Sequence, residues 1–182
     1  MNTIIPAPTR EQVSPPNQQL FDALRQRVGF VPNLYASFAH SSNALATYLA
    51  LQAAPSALTL REREVVNLAV SQVNGCRYCL AAHTALARGA GFDAAQILAL
   101  RRGGAPFDPR LDALARLARG LAQARGDLDP ALVQSFLDAG WSREQLVDTV
   151  VLVGDKTISN LLHAVTQVPV DFPAAPPLDA AP

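Results

Sequence analysis

Cys76 and Cys79 are the only thiols of the chain, and they stand as Cys76-Arg77-Tyr78-Cys79 with His83 four residues further on. On a helix beginning at Cys76, Cys79 falls at i+3 and His83 at i+7, so the three side chains share one face. A disulfide needs Cα atoms about 4.4–6.8 Å apart, which one helical turn supplies. The first turn also carries unpaired N–H groups and the positive end of the helix dipole, and both favour a thiolate. His83 is one turn beyond Cys79 and is placed to exchange a proton with it. Glu64 lies one helix earlier, across an Asn74-Gly75 turn, and can orient the imidazole or relay its proton. The helix terminus favours Cys76 as the more acidic thiol, whereas His83 favours Cys79. The proton donor one turn away decides for Cys79.

Thiol peroxidation fits this set. A thiolate attacks the O–O bond of a hydroperoxide and becomes a sulfenic acid, the neighbouring thiol condenses with it to a disulfide, and an external dithiol resets the pair. Other readings stay open at this point. C-x-x-C also serves zinc sites, but Cys76, Cys79 and His83 give three ligands, and the fourth would have to be Glu64, His40 or His163. A thioredoxin-like fold needs βαβ units, and none is written here. The pair can also be two inert buried cysteines, or a thiol-disulfide exchange or redox-sensing module. Asn160 and His163, near the end of the last helix, are further candidates to approach the pocket. Arg77 and Tyr78 read as a solvated arginine and a packed tyrosine, His40 as a surface residue, and Trp141 and Phe92 as packing anchors.

The elements that must position these residues are helical throughout. Prolines make 1–16 extended, and a first helix is expected over 17–28, with Leu20, Leu24 and Val28 at helical spacing. Short segments follow through Tyr35 and Phe38, then from Ser41 or Ser42 to a stop at Pro55. Thr59 with Glu62, and Ser142 with Gln145, read as capping boxes. Asp93 with Gln96, Asp108-Pro109 and Asp129-Pro130 open three more helices, with stops at Gly103-Gly104, Gly126 and Gly140. The segment from Ser142 to Ala164 reads as a long helix apolar around much of its circumference, through Val150, Val151, Leu152 and Val153. A helix of that kind is normally buried on all sides, which predicts an oligomer. No sustained period-two alternation occurs. The expectation is one all-α domain over 1–182, a bundle of about eight helices with an extended tail over 169–182.

Composition sets the limits. At 182 residues, 49% hydrophobic and only 16% charged, the chain is the opposite of a disordered one. Fifteen basic and fifteen acidic residues cancel, with no basic stripe, which argues against a nucleic-acid groove or a charged membrane surface. No apolar run reaches about 18 residues, and the N-terminus lacks the cationic start of a secretory signal. Two cysteines at close spacing do not make a secreted disulfide scaffold. These readings predict a soluble cytoplasmic protein.

Glu64, eleven intervening residues and then Cys76-x-x-Cys79-x-x-x-His83 resembles the motif of alkylhydroperoxidase D-like proteins in the carboxymuconolactone decarboxylase superfamily. The specific similarity covers Leu58 to Gly91. The segments Asn160-Leu-Leu-His163 and Val168 to Pro173 are more loosely similar to the peroxidase-related branch. The resemblance implies an all-α fold, assembly as trimers or hexamers, and peroxidase activity with no prosthetic group or metal. It implies Cys79 as the peroxidatic cysteine, Cys76 as its resolving partner and proton donor, and Glu64 with His83 as the proton relay. The implied partners are a hydroperoxide substrate and a dithiol or thiol-protein reductant. The best-known members carry a histidine between the cysteines where this chain has Tyr78. The superfamily also includes lactone decarboxylases, whose reaction has no use for a vicinal thiol pair.

Overall fold

Capping residues, prolines and glycines cut the chain into nine α-helices, with no strand, among residues 3–124 and 127–179, which the computed structural model describes. The chain forms two compact units. The first comprises the described residues of Met1–Pro55 with Leu161–Asp171. In it a short 3-10 helix, Arg10–Gln12, precedes α1 (Pro15–Val28), α2 (Asn33–Phe38) and α3 (Ala44–Ala53). The N-terminal segment is therefore not extended throughout. α1 begins ahead of the expected Asn17 because Pro15 and Pro16 occupy its first turn, where no N–H is needed and φ is already helical. Phe21, Leu45 and Tyr48 form the core of this unit, with Phe38 stacked on Tyr48 at 4.2 Å between ring centres.

The second unit comprises Ser56–Asn160 with the described residues of Phe172–Pro182. It holds α4 (Leu60–Val73), α5 (Arg77–Gly89), α6 (Ala94–Arg101), α7 (Pro109–Ala124), α8 (Pro130–Asp138) and most of α9 (Arg143–Thr166). The Thr59–Glu62 capping box is closed in both directions, at 3.3 and 2.8 Å. Gly126, read as the stop of α7, lies outside the described residues. Val65, Val66, Leu68 and Val70 of α4 face Leu111, Leu114, Leu117 and Ala118 of α7 in one apolar cluster. Each large side chain buried there contributes about 1.5–3 kcal/mol. Trp141 closes the cluster: it stacks on Phe136 at 5.2 Å, and its indole N–H donates to the Arg110 carbonyl at 3.0 Å. Phe92 is likewise a packing anchor, buried under the Arg61 guanidinium.

Helix α9 buries a largely polar face within the chain. Its inward face is Thr149, Leu152, Asp155, Lys156, Ser159 and Asn160, whereas Val147, Val150, Val151 and Ile158 are exposed. The polar residues also recur at helical spacing, and the groups they meet on α4 and α5 are themselves polar. The chain after α9 is extended, as its prolines predict, and Arg101 donates to the Pro176 carbonyl at 2.6 Å. No helix among the described residues is long and apolar enough to cross a membrane.

Candidate active site

The joint between α4 and α5 sets the site. Gly75 has φ +64°, a left-handed conformation that glycine adopts without strain, and it folds the chain back within Asn74-Gly75-Cys76. Cys76 is then the N-cap of α5, and its sulfur accepts the Cys79 backbone N–H at 3.3 Å. The helix therefore starts one residue later than the spacing argument assumes, which still leaves the two cysteines one turn apart. Both thiols are buried and reduced, with the Cys76 S–H directed at the Cys79 sulfur across 2.7 Å.

On α4, Glu64 and Asn67 are one turn apart, and the Asn67 amide donates to Glu64 Oε1 at 2.9 Å. The other carboxylate oxygen meets His83 Nδ1 at 2.8 Å, so α4 and α5 are joined by a buried Glu64–His83 pair. The remaining ring nitrogen, Nε2, does not meet a thiol. It faces the Lys156 Nζ of α9 at 3.2 Å. An ammonium there can only donate, so Nε2 accepts and Nδ1 carries the proton given to Glu64. Lys156 is only 3% exposed and forms an ion pair with Asp155 at 3.6 Å. One turn along α9, Asn160 accepts the Asn74 amide at 2.9 Å through Oδ1. This turns its own NH₂ toward the sulfurs, where that buried nitrogen makes no formed hydrogen bond but still lowers the pKa of both thiols.

The surroundings polarise the pair. The Cys79 thiol is lowered to about 6, first by the hydrogen bond from Cys76 and then, against the cost of burial, by the Lys156 ammonium and by the neighbouring His83 and Asn160. Cys76 is pushed up, because it holds the proton donated to Cys79 and because it is buried. Burial raises the Glu64 carboxyl, but His83, Asn67 and Lys156 together outweigh it and leave Glu64 below the ordinary value. The arrangement can hold a thiolate at neutral pH with a thiol in contact and a fixed imidazole behind it. Among the described residues no group of three or more His, Cys, Asp or Glu is placed to bind a metal.

Of the residues singled out from sequence, Glu64, Cys76, Cys79, His83 and Asn160 are gathered here. His163 belongs to the other unit, where its ring meets the Val168 carbonyl. His40 is exposed and contacts the Pro6 carbonyl. Tyr78 is buried edge-on against Phe172, and Arg77 is exposed. Sequence reasoning missed Lys156, Asp155 and Asn67. A signal for Lys156 did exist: it is the single lysine among fifteen basic residues, and it sits in an apolar helix.

Residues 38–120 match the carboxymuconolactone decarboxylase family. Over this segment the chain is similar to that family. Glu64, Asn67, Cys76, Cys79 and His83 lie within the matched segment, whereas Asp155, Lys156 and Asn160 lie beyond it. The fold is AhpD-like. It is similar to the AhpD core of an uncharacterized peroxidase-related protein from Ralstonia eutropha JMP134, with TM-score 0.82 and 22% identity over 93% of this chain and 92% of that one. A second uncharacterized peroxidase-related protein, from Silicibacter sp. TM1040, gives TM-score 0.79 and 23% identity over 94% and 91%. The debrominase Bmp8, solved with 2,3,4-tribromopyrrole, shares the fold at TM-score 0.76 and 15% identity over 94% and 93%. No curated protein is significantly similar in sequence.

Proposed function

We propose that this chain is a cofactor-free thiol peroxidase of the alkylhydroperoxidase kind, which reduces organic hydroperoxides or hydrogen peroxide. The observation that carries the reading is the Cys79 thiol, lowered to about 6, in contact with the protonated Cys76. Cys79 attacks the distal peroxide oxygen, the O–O bond breaks, and the departing oxygen takes a proton from the His83–Glu64 side of the site. Cys76 then displaces water from the sulfenic acid, and an external dithiol or thiol protein reduces the disulfide. The exposed valines of α9 support assembly as a homo-oligomer, in keeping with the trimers or hexamers expected for the family resemblance. The absence of a spanning helix among the described residues accords with a cytoplasmic setting.

The test is a thiol titration before and after one equivalent of hydroperoxide, followed by steady-state turnover with a dithiol. Loss of both thiols and catalytic peroxide consumption are expected. Because the fold is shared with a debrominase, 2,3,4-tribromopyrrole is offered in parallel. Dehalogenation without peroxide consumption would replace this reading. Thiol-disulfide exchange with a protein partner and no peroxide turnover would leave an exchange or sensing module.

A further inference from the structure

Lys156 is unused by the mechanism above, yet it touches the group that mechanism depends on. The chain contains fourteen arginines and one lysine, and the lysine is the cation buried in the site. Arginine keeps its protons at any ordinary pH, whereas an ammonium releases one to a partner or a reacting atom. A site needing only a fixed positive charge could use the cation this chain uses everywhere else. In the Lys156–His83 contact an ammonium N–H is directed at Nε2, so one hydrogen bond links Nζ to the imidazole.

We propose that Lys156 is a positioning residue acting through His83: its ammonium locks the Nδ1–H tautomer, holds Cys79 as a thiolate, and stores the proton that leaves with the departing oxygen. The proton step rests on the peroxidase reading, whereas the charge and tautomer do not. The charged and titratable groups around it are Glu64 on α4, Cys76, Cys79 and His83 at α5, and Asp155 on α9. In the reaction the S–O bond forms as O–O breaks, sulfur is oxidised and the peroxide reduced. The alkoxide takes the proton of that hydrogen bond, leaving Lys156 and His83 both neutral. Cys76 supplies the proton for water when the disulfide closes. The external dithiol later releases Cys79 as a thiol, which returns its proton to the Lys156–His83 pair.

The experiment compares wild type, Lys156→Met and Lys156→Arg in three measurements. Thiolate absorbance against pH should show the Cys79 midpoint raised by about 1–3 pH units in K156M and nearly unchanged in K156R. Single-turnover oxidation, corrected for thiolate fraction, should be slowed about 10²–10⁴-fold with an alkyl hydroperoxide in both variants. A peracid, whose carboxylate leaving group needs no proton, should be affected little. Nitrogen NMR of His83 should show the pyridine-type nitrogen at Nε2 in wild type. An unchanged Cys79 titration in K156M would overturn the proposal, as would equal slowing with both oxidants. If one variant does not fold, the other still decides between charge and proton. If wild type reduces neither oxidant, the peroxidase reading and the proton step fall together, and the titration and tautomer decide what remains.

Discussion

Helix α7 buries Leu111, Leu114, Leu117 and Ala118 and turns Arg116 and Arg119 to solvent, while α9 buries Asp155, Lys156 and Asn160 and turns Val147, Val150 and Val151 outward. Both are long helices with one inward face, and in the second unit both pack on the same body. The first arrangement follows the hydrophobic effect and stabilises the fold. The second runs against it, since burying ions costs more than their pairing returns unless every one is bonded. α9 meets that condition through His83, Asp155 and Asn74, at a place where two thiols need a charge and a donor. The apolar interface stabilises the second unit, and the inverted helix equips that unit for chemistry.

The sharpest break of this comparison is Cys79→Ser, which should abolish peroxide reduction while leaving the melting temperature unchanged. Cys76→Ser should still form a sulfenic acid but fail to resolve it. A sulfenate-trapping reagent that labels Cys76 in the first variant, and not Cys79 in the second, would reverse the two roles. Next in size is the relay. His83→Gln should lower turnover by about 10²–10⁴, Glu64→Gln by a similar or smaller factor, and the double variant should be little worse than the worse single one. Losses that multiply in peroxidase assays would mean two independent contributions.

On the other side of the comparison, Leu114→Ala should cost about 2–5 kcal/mol of stability in urea unfolding. Its single-turnover rate well below the transition should match wild type; a large rate loss would show that the apolar interface also tunes the site. The pH profile gives a smaller effect. Cys79 is lowered, so its thiolate is present above about 6 and is lost as pH falls through that value. Alkylation of Cys79 should fall about tenfold from its plateau to one pH unit below the midpoint. Cys76→Ala should move the midpoint up by removing the S–H donor. The smallest change is expected from Val150→Glu with Val151→Glu, which should lower the mass seen by light scattering without changing thiol chemistry. A single-chain mass for the wild type would remove the assembly expectation.

The helices were legible because their boundaries are local. Thr59 with Glu62, Asp93 with Gln96, and Asp129-Pro130 act within one turn, and each opens a helix at the expected residue. The thiol cluster was legible for the same reason: Cys76, Cys79 and His83 are consecutive turns of one helix, and Glu64 is one tight turn away. Lys156 lies 73 residues along the chain from His83, beyond α6, α7 and α8, and no periodicity links them. The inward face of α9 was not legible because hydrophobicity marks its valines and says nothing of Asp155, Lys156 and Asn160. What decides that face is the polar character of α4 and α5 opposite it, which only the folded chain brings there.

The turn that joins α4 to α5 also bears on how the protein ages. Asparagine followed by glycine is the dipeptide most open to deamidation, in which the glycine nitrogen closes on the side-chain amide. Here Asn74 is held in a helical conformation, at φ −81° and ψ −3°, and the Gly75 N–H is engaged by the Gln72 carbonyl, so the folded state opposes that ring closure. Local opening would release it. An aspartate at position 74 has no N–H for Asn160 Oδ1 and would repel it, turning the Asn160 amide away from the sulfurs. Stored protein should therefore lose thiol reactivity in step with deamidation at this one position, a correlation that peptide mapping of aged samples can follow.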